Sequence, residues 1–375
     1  EGIECLWAFP TLMARVENQK VVRHCLICSV PITECHLGID SCRACAVFYK
    51  RICANVSNRP EKCKGGDGAC RETDPTTSCR KCRFDRFTDV IANASLTTLS
   101  DEEVLEKEDI CAPHQTRRAK DIKTTFIDHT SFLLEQPSCS DTPILDKIRW
   151  GYSLMCLQRK TGEAATKPVD FHLGQGDYDG SNIQFYPATY STIVPNARIY
   201  SAAIFDFGKL TFPDYAALSE EKRALVMSSC FQHVGLLETI YRSTHYFSDD
   251  PDKFFSSYTT TTDEESIRRF FDDCPHPINV QEAIDALQSH TERTKAMNLD
   301  EYKRIKPDDV EFLALLGLSF WNNQVAMHEE LSEVTERNRA AILRELNIVY
   351  KNRGVTDYAT RLGELLCLID NIEVS

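Results

Sequence analysis

Positive charge is scarce across this 375-residue chain: 43 Lys and Arg stand against 56 Asp and Glu, a formal net charge of −13. As an average, that deficit argues against a polyanion-binding surface spread over the whole molecule. Long apolar runs are missing too. No stretch offers the 18 or more apolar residues that a bilayer-crossing helix needs, so no membrane partner is expected. Residues 1–22 lack the basic start and apolar run of a secretory leader, which points to an intracellular chain. Catalytic signatures are absent as well: there is no Gly-x-Ser-x-Gly, no phosphate-binding glycine loop and no His-Glu-x-x-His. The expectation is a protein that is not an enzyme. With 42% hydrophobic residues and this length, the chain can bury more than one core and fits two domains.

The charge deficit is unevenly distributed. Residues 23–91 hold 12 Lys/Arg and 8 Asp/Glu, a net of +4, which leaves −17 on the rest. A small basic module is therefore joined to a larger acidic one. Cysteine follows the same division: 10 of the 17 lie between Cys25 and Cys82. Eight of those fall into two groups of four. The first is Cys25-x2-Cys28-x13-Cys42-x2-Cys45; the second is Cys63-x6-Cys70-x8-Cys79-x2-Cys82. A Cys-x2-Cys knuckle offers two thiolates from one tight turn, and two pairs complete the tetrahedron zinc requires. Two zinc ions are expected. Cys35 and Cys53 lack a knuckle partner and read as packed residues or thiols outside the metal sites.

After Cys42 the chain reads Arg43-Ala44-Cys45-Ala46-Val47-Phe48-Tyr49-Lys50-Arg51-Ile52. Phe48, Ile52 and Val47 suggest an apolar stripe at helical spacing, with Arg43, Lys50 and Arg51 on other faces. A zinc-clamped helix bearing arginines suits the major groove; the plainer reading is a solvated basic helix in an interaction module. A second basic segment, Cys79-Arg80-Lys81-Cys82-Arg83-Phe84-Asp85-Arg86-Phe87, predicts another helix, with Phe84 and Phe87 packing on the first.

These residues resemble the DNA-binding domain of nuclear hormone receptors, closest to the divergent receptors of nematodes. The resemblance rests on the Cys-x2-Cys-x13-Cys-x2-Cys opening, on His36-Leu37-Gly38, on Phe48-Tyr49-Lys50-Arg51 and on Cys79-Arg80-Lys81-Cys82-Arg83-Phe84. It implies base contacts from Arg43, Ala46 and Lys50, and phosphate contacts from Arg51, Arg80, Lys81, Arg83 and Arg86. Three departures stand out. The family's base-reading Cys-Glu-Gly-Cys-Lys box is Cys42-Arg43-Ala44-Cys45-Ala46 here, so an arginine able to donate to guanine replaces a carboxylate, and alanine replaces lysine. The recognised sequence should therefore differ from the family's usual half-site. The loop Lys64–Ala69 is glycine-rich and one residue longer than usual, at a place the family uses for dimer contacts. Phe87 stands where the family often has a further cysteine.

The remainder predicts a hinge over 92–123, with the Arg117-Arg118-Ala119-Lys120 cluster as either an import signal or a solvated face, and a mostly helical domain over 124–375. Ser219–Ser243 and Leu331–Tyr350 carry apolar residues at three- and four-residue intervals, and the more apolar Asp308–Trp321 predicts an interior helix. Phe207–Lys209, Phe212–Lys222 and Arg361–Leu366 resemble the ligand-binding domain of the same family. On that resemblance, Lys209 is a candidate coactivator contact, or else a surface lysine. Arg242 is a candidate contact for a ligand carboxylate, or else a structural ion-pair residue. The chain ends before the family's final activation helix, which suggests either truncation or a receptor without ligand-gated coactivator binding, and residues 1–22 match nothing.

The expected architecture is thus a small α-rich double zinc-knuckle DNA-binding module (23–91) followed by an all-α nuclear-receptor-like ligand-binding domain with an apolar cavity. The resemblance implies a nuclear, sequence-specific transcription factor whose partners are duplex DNA, coregulators, a small lipophilic ligand and a second receptor as dimer partner. The alternative is a receptor-derived interaction protein that has lost specific DNA binding.

Overall fold

The computed structural model describes residues 23–32, 36, 37, 39–53, 60, 62, 63, 70, 79–94, 141–166, 185–250, 252–276, 278–295, 299–355 and 358–374. The N-terminal segment, Cys35, the loop 64–69 and the Arg117–Lys120 cluster lie outside them.

The cysteine-rich part begins with a two-residue antiparallel ladder of β1 (Arg23–His24) and β2 (Pro31–Ile32), in which Arg23 pairs with Ile32. Between them the first knuckle closes through Ser29 N–H to Cys25 O (2.7 Å) and Cys25 N–H to Val30 O (2.8 Å). Two helices follow, α1 (Arg43–Cys53) and α2 (Arg80–Ala94). Lys50 and Arg51 lie in the last turn of α1, where positive charge complements the helix dipole. Tyr49 joins the two helices, stacking on Phe84 and Phe87 with ring centroids 5.5 and 4.5 Å away. Phe84 and Phe87 thus pack as the sequence predicted, but the stripe on α1 differs from the expected one. Tyr49 and Ile52 are buried, Phe48 is half-buried under the Arg83 guanidinium, and Val47 faces solvent.

The helical part contains α3 (Pro143–Ala165), α4 (Tyr190–Thr211), α5 (Pro213–Ala217), α6 (Glu220–Tyr246), α7 (Glu264–Arg269), α8 (Val280–Thr294), α9 (Asp300–Ile305), α10 (Asp309–Phe320), α11 (Asn323–Ala326), α12 (Glu329–Asn352) and α13 (Tyr358–Val374). Among the described residues strands are few: β3 (Tyr186–Pro187), β4 (Phe254–Phe255) and β5 (Thr260–Thr262) form one small sheet in the order β3-β5-β4. Helix α10 is the predicted interior helix. It is apolar around its circumference, as a fully surrounded helix must be, and it packs against α3, α6, α12 and α13. Gly317 permits a close crossing, since a Cβ there would meet Ile148 at 2.7 Å and Ile342 at 2.8 Å.

Two polar devices tie the helices together. At the start of α10, Asp308 caps the amides of Val310 and Glu311. The Glu311 carboxylate accepts from Arg361 on α13 through both Nε (2.7 Å) and Nη2 (2.6 Å), and from the Tyr350 hydroxyl on α12 (2.7 Å). Burial works to raise the Glu311 carboxyl, but Arg361 and Tyr350 outweigh it and hold it below its ordinary range. Where α3, α6 and the sheet meet, the interior is charged. Arg159 pairs with Glu238 and lies 3.7 Å from Glu163. Glu163 in turn accepts from the amides of Tyr258 (3.0 Å) and Thr259 (2.8 Å). An open apolar groove of about 370 Å³ runs between α3 and α4, with Leu154, Met155, Phe207 and Leu210 in its walls.

Candidate DNA-binding zinc module

Within each expected group of four cysteines, all sulfurs lie within 4.8 Å of one another. A zinc–sulfur bond of about 2.3 Å places tetrahedral sulfurs about 3.8 Å apart. The separations of Cys28 from Cys42 (3.6 Å), Cys63 from Cys70 (3.4 Å), Cys63 from Cys82 (3.4 Å) and Cys79 from Cys63 (3.8 Å) fit that figure. The donor set is all thiolate and closed, as in structural zinc sites. Zinc at each centre supplies folding energy and holds two chain segments at a fixed distance. Helix termini add to the fit. Cys42 and Cys45 sit at the start of α1, and Cys79 and Cys82 at the start of α2, where the positive helix end favours thiolate charge. Arg83 contributes further by donating to Cys45 Sγ at 3.0 Å.

The basic residues singled out in the sequence divide into two sets. Arg43, Arg51 and Arg80 are exposed. Arg43, Val47 and Arg51 share one open face of α1. The others are engaged or covered: Lys81 pairs with Asp85 at 2.6 Å, Arg83 is spent on Cys45 and the Phe48 ring, and Arg86 is half-buried. Ala46 is buried, and Lys50 pairs with Asp370 and donates to Asn371 Oδ1 at 2.8 Å.

The contacts of Ala46 and Lys50 introduce residues that sequence reasoning missed. Helix α13 packs against both α1 and α2. Asp370 accepts the Leu37 amide at 3.3 Å and lies 3.5 Å from His36 Nδ1, besides pairing with Lys50. Burial alone would raise the Asp370 carboxyl; His36 and Lys50 hold it low instead. Gly363 faces the Tyr49 hydroxyl, which a Cβ would meet at 2.2 Å. Cys53 is buried within hydrogen-bonding reach of Cys367. Arg23 extends the contact by donating to Ser332 Oγ (2.6 Å) and pairing with Glu336 (3.2 Å). One signal was available in the sequence: Asp370 is the lone charge in the run Leu365–Ile372, and a carboxylate among apolar residues needs partners.

In the helical part, Lys209 is exposed with its ammonium 4.3 Å from the Phe205 ring centre. Arg242 is fully buried. It donates to the carbonyls of Ser257 (3.3 Å) and Tyr258 (2.7 Å) between the rings of Phe255 and Tyr258, and so braces the turn joining β4 and β5.

Two closed four-cysteine centres, each seated at a helix start and followed by a helical domain, define a zinc-module receptor architecture. Comparison with known proteins agrees. Residues 23–92 match the family described as "Double treble clef zinc finger, C4 type", and residues 207–375 match "Ligand-binding domain of nuclear hormone receptor". Among similar proteins of Caenorhabditis elegans, nuclear hormone receptor family member nhr-43 is 23% identical over 93% of this chain and 85% of its own length. Member nhr-16 is 24% identical over 95% and 90%. The high zinc activated nuclear receptor protein is 21% identical over 96% and 88%. The chain belongs to the nuclear hormone receptor family, in its divergent, nematode-type branch. It is a non-catalytic member with two zinc centres.

Proposed function

We propose that the chain is a sequence-specific transcription factor of the nucleus that reads duplex DNA with α1. The observation that carries this reading is the open face of α1: Arg43, Val47 and Arg51 lie exposed on a helix whose first turn supplies two ligands of a zinc centre. Zinc fixes the backbone of this helix, so little backbone entropy is left to lose on binding. Arg43, near the N-terminal end, suits donation to a guanine edge, and the Val47 methyls suit a thymine methyl. Arg51 and Arg80 are suited to phosphates. We assign the DNA-binding domain to residues 23–91, the hinge to 92–123 and the coregulator-facing domain to 124–375. Lys209, exposed at the end of α4, remains the candidate coactivator contact. Arg242 favours a structural role, since two carbonyls and two rings already surround it.

Selection of bound duplexes from a random library with the full, zinc-loaded chain tests the reading. Enrichment of one motif is the expected result. Folded protein carrying two zinc ions and enriching nothing would favour the interaction-protein alternative.

A further inference from the structure

We propose that helix α13 closes one flank of α1, and that this closure and duplex binding exclude each other. The chain thereby holds its own DNA-reading helix in a shut state. The proposal rests on the reading of α1 as the helix that enters the groove.

The contact is built from three chemically different pairs on one side of α1. Lys50 is neutralised by Asp370 and bonded to Asn371. The Tyr49 hydroxyl sits where only a glycine, Gly363, leaves room. The Cys53 thiol is buried against Cys367. These positions lie in the C-terminal half of α1, and α13 covers that half on this side. Ala46, one turn before Lys50, is buried on the same flank.

The surroundings of Asp370 say what the contact replaces. Its carboxylate takes a backbone N–H from Leu37, lies beside a ring nitrogen of His36 and pairs with the Lys50 ammonium. A main-chain amide and two basic side chains converging on one anion form the donor set that would hold a backbone phosphate. In the closed chain that place is filled by a side chain of α13.

Dimensions make the two states exclusive. The major groove is about 12 Å wide, and a helix with its side chains is about 10–12 Å across. A helix in the groove has sugar-phosphate walls on both flanks. A second helix packed about 8–10 Å from the first cannot fit beside it. Helix α2 also meets α1 at Tyr49, through Phe84 and Phe87, whereas α13 reaches round to Lys50, beside the open face. Opening requires α13 to leave α1, and Arg23, bound to Ser332 and Glu336, to release α12.

The test uses the full zinc-loaded chain and two substitutions on α13, Gly363→Leu and Asp370→Asn, neither of which replaces a residue assigned to DNA. Hydrogen exchange over residues 36–53 reports closure, and fluorescence anisotropy with the selected duplex reports binding. If the closed form makes up about nine-tenths of the chain, its loss tightens apparent binding about tenfold. Both variants should therefore raise exchange and tighten binding, with Gly363→Leu giving the larger effect. Should Gly363→Leu fail to fold, Asp370→Asn, which changes one oxygen to an amide group, carries the test. Raised exchange with unchanged affinity would show that closure does not exclude DNA. Unchanged exchange in both variants would show that α13 does not cover α1. Raised exchange with no duplex selected by any form would instead overturn the DNA reading, and the exclusion with it.

Discussion

Arg43 and Arg51 share the open face of α1 but should leave different signatures when removed. Arg43 lies near the start of the helix, where a side chain meets base edges, so Arg43→Ala is expected to lose about 1–3 kcal/mol against the selected duplex and much less against a scrambled one. Arg51→Ala should weaken both about equally and lower the salt slope by roughly one, as loss of a phosphate contact does. Titration of both variants into both duplexes at several salt concentrations separates the two roles. Equal weakening by Arg43→Ala would remove that residue from base readout. At the metal centres the expected outcome is simpler. Cys42→Ser takes a thiolate from one closed site, so native mass spectrometry should count one zinc per chain in place of two. Two retained ions would reject Cys42 as a ligand.

At the scale of the element, α10 and α13 are joined by the Arg361–Glu311 pair, with Glu311 buried and Arg361 a quarter exposed. Removing one partner of a buried pair costs roughly 3–5 kcal/mol, and the partial exposure of Arg361 puts Arg361→Ala at the lower end. Urea unfolding measures it; a change below about 0.5 kcal/mol would mean that the pair is solvent-compensated. Elements differed in how far the sequence disclosed them. Helix α10 was legible because burial on all sides leaves a continuous apolar run, and the zinc ligands were legible because a knuckle fixes their spacing. The buried stripe of α1 was misread, with Phe48 and Val47 in place of Tyr49. In so short a helix the zinc ligands Cys42 and Cys45 set the rotation, and hydropathy has little say. The docking of α13 on α1 was illegible because it joins residues some 320 positions apart, and periodicity reports only a residue's own element.

Across the whole molecule, the paired carboxylates make stability depend on acid. The folded-state pKa of Glu311 is depressed relative to the unfolded chain, so its contribution is fully present above the ordinary glutamate range and is lost as pH falls through the lower folded value. Asp370, also depressed, adds in the same direction. Thermal melts from pH 6 down to pH 3 should show falling stability, and Glu311→Gln should flatten the slope. An unchanged slope in that variant would move the effect to other carboxylates. The cores of the zinc module and the helical domain are one continuous apolar cluster, running from Cys25 to Ile372. Unfolding should accordingly be a single transition while α13 stays docked, and Gly363→Leu should split it into two. The fit between Tyr49 and Gly363 also carries an evolutionary consequence. The hydroxyl and the missing methyl occupy one space, so position 363 cannot gain a side chain while tyrosine stands at 49. Among descendants of this gene, a side chain at 363 should appear only in lineages where position 49 has already shrunk, an ordered dependence that spans the full breadth of the chain.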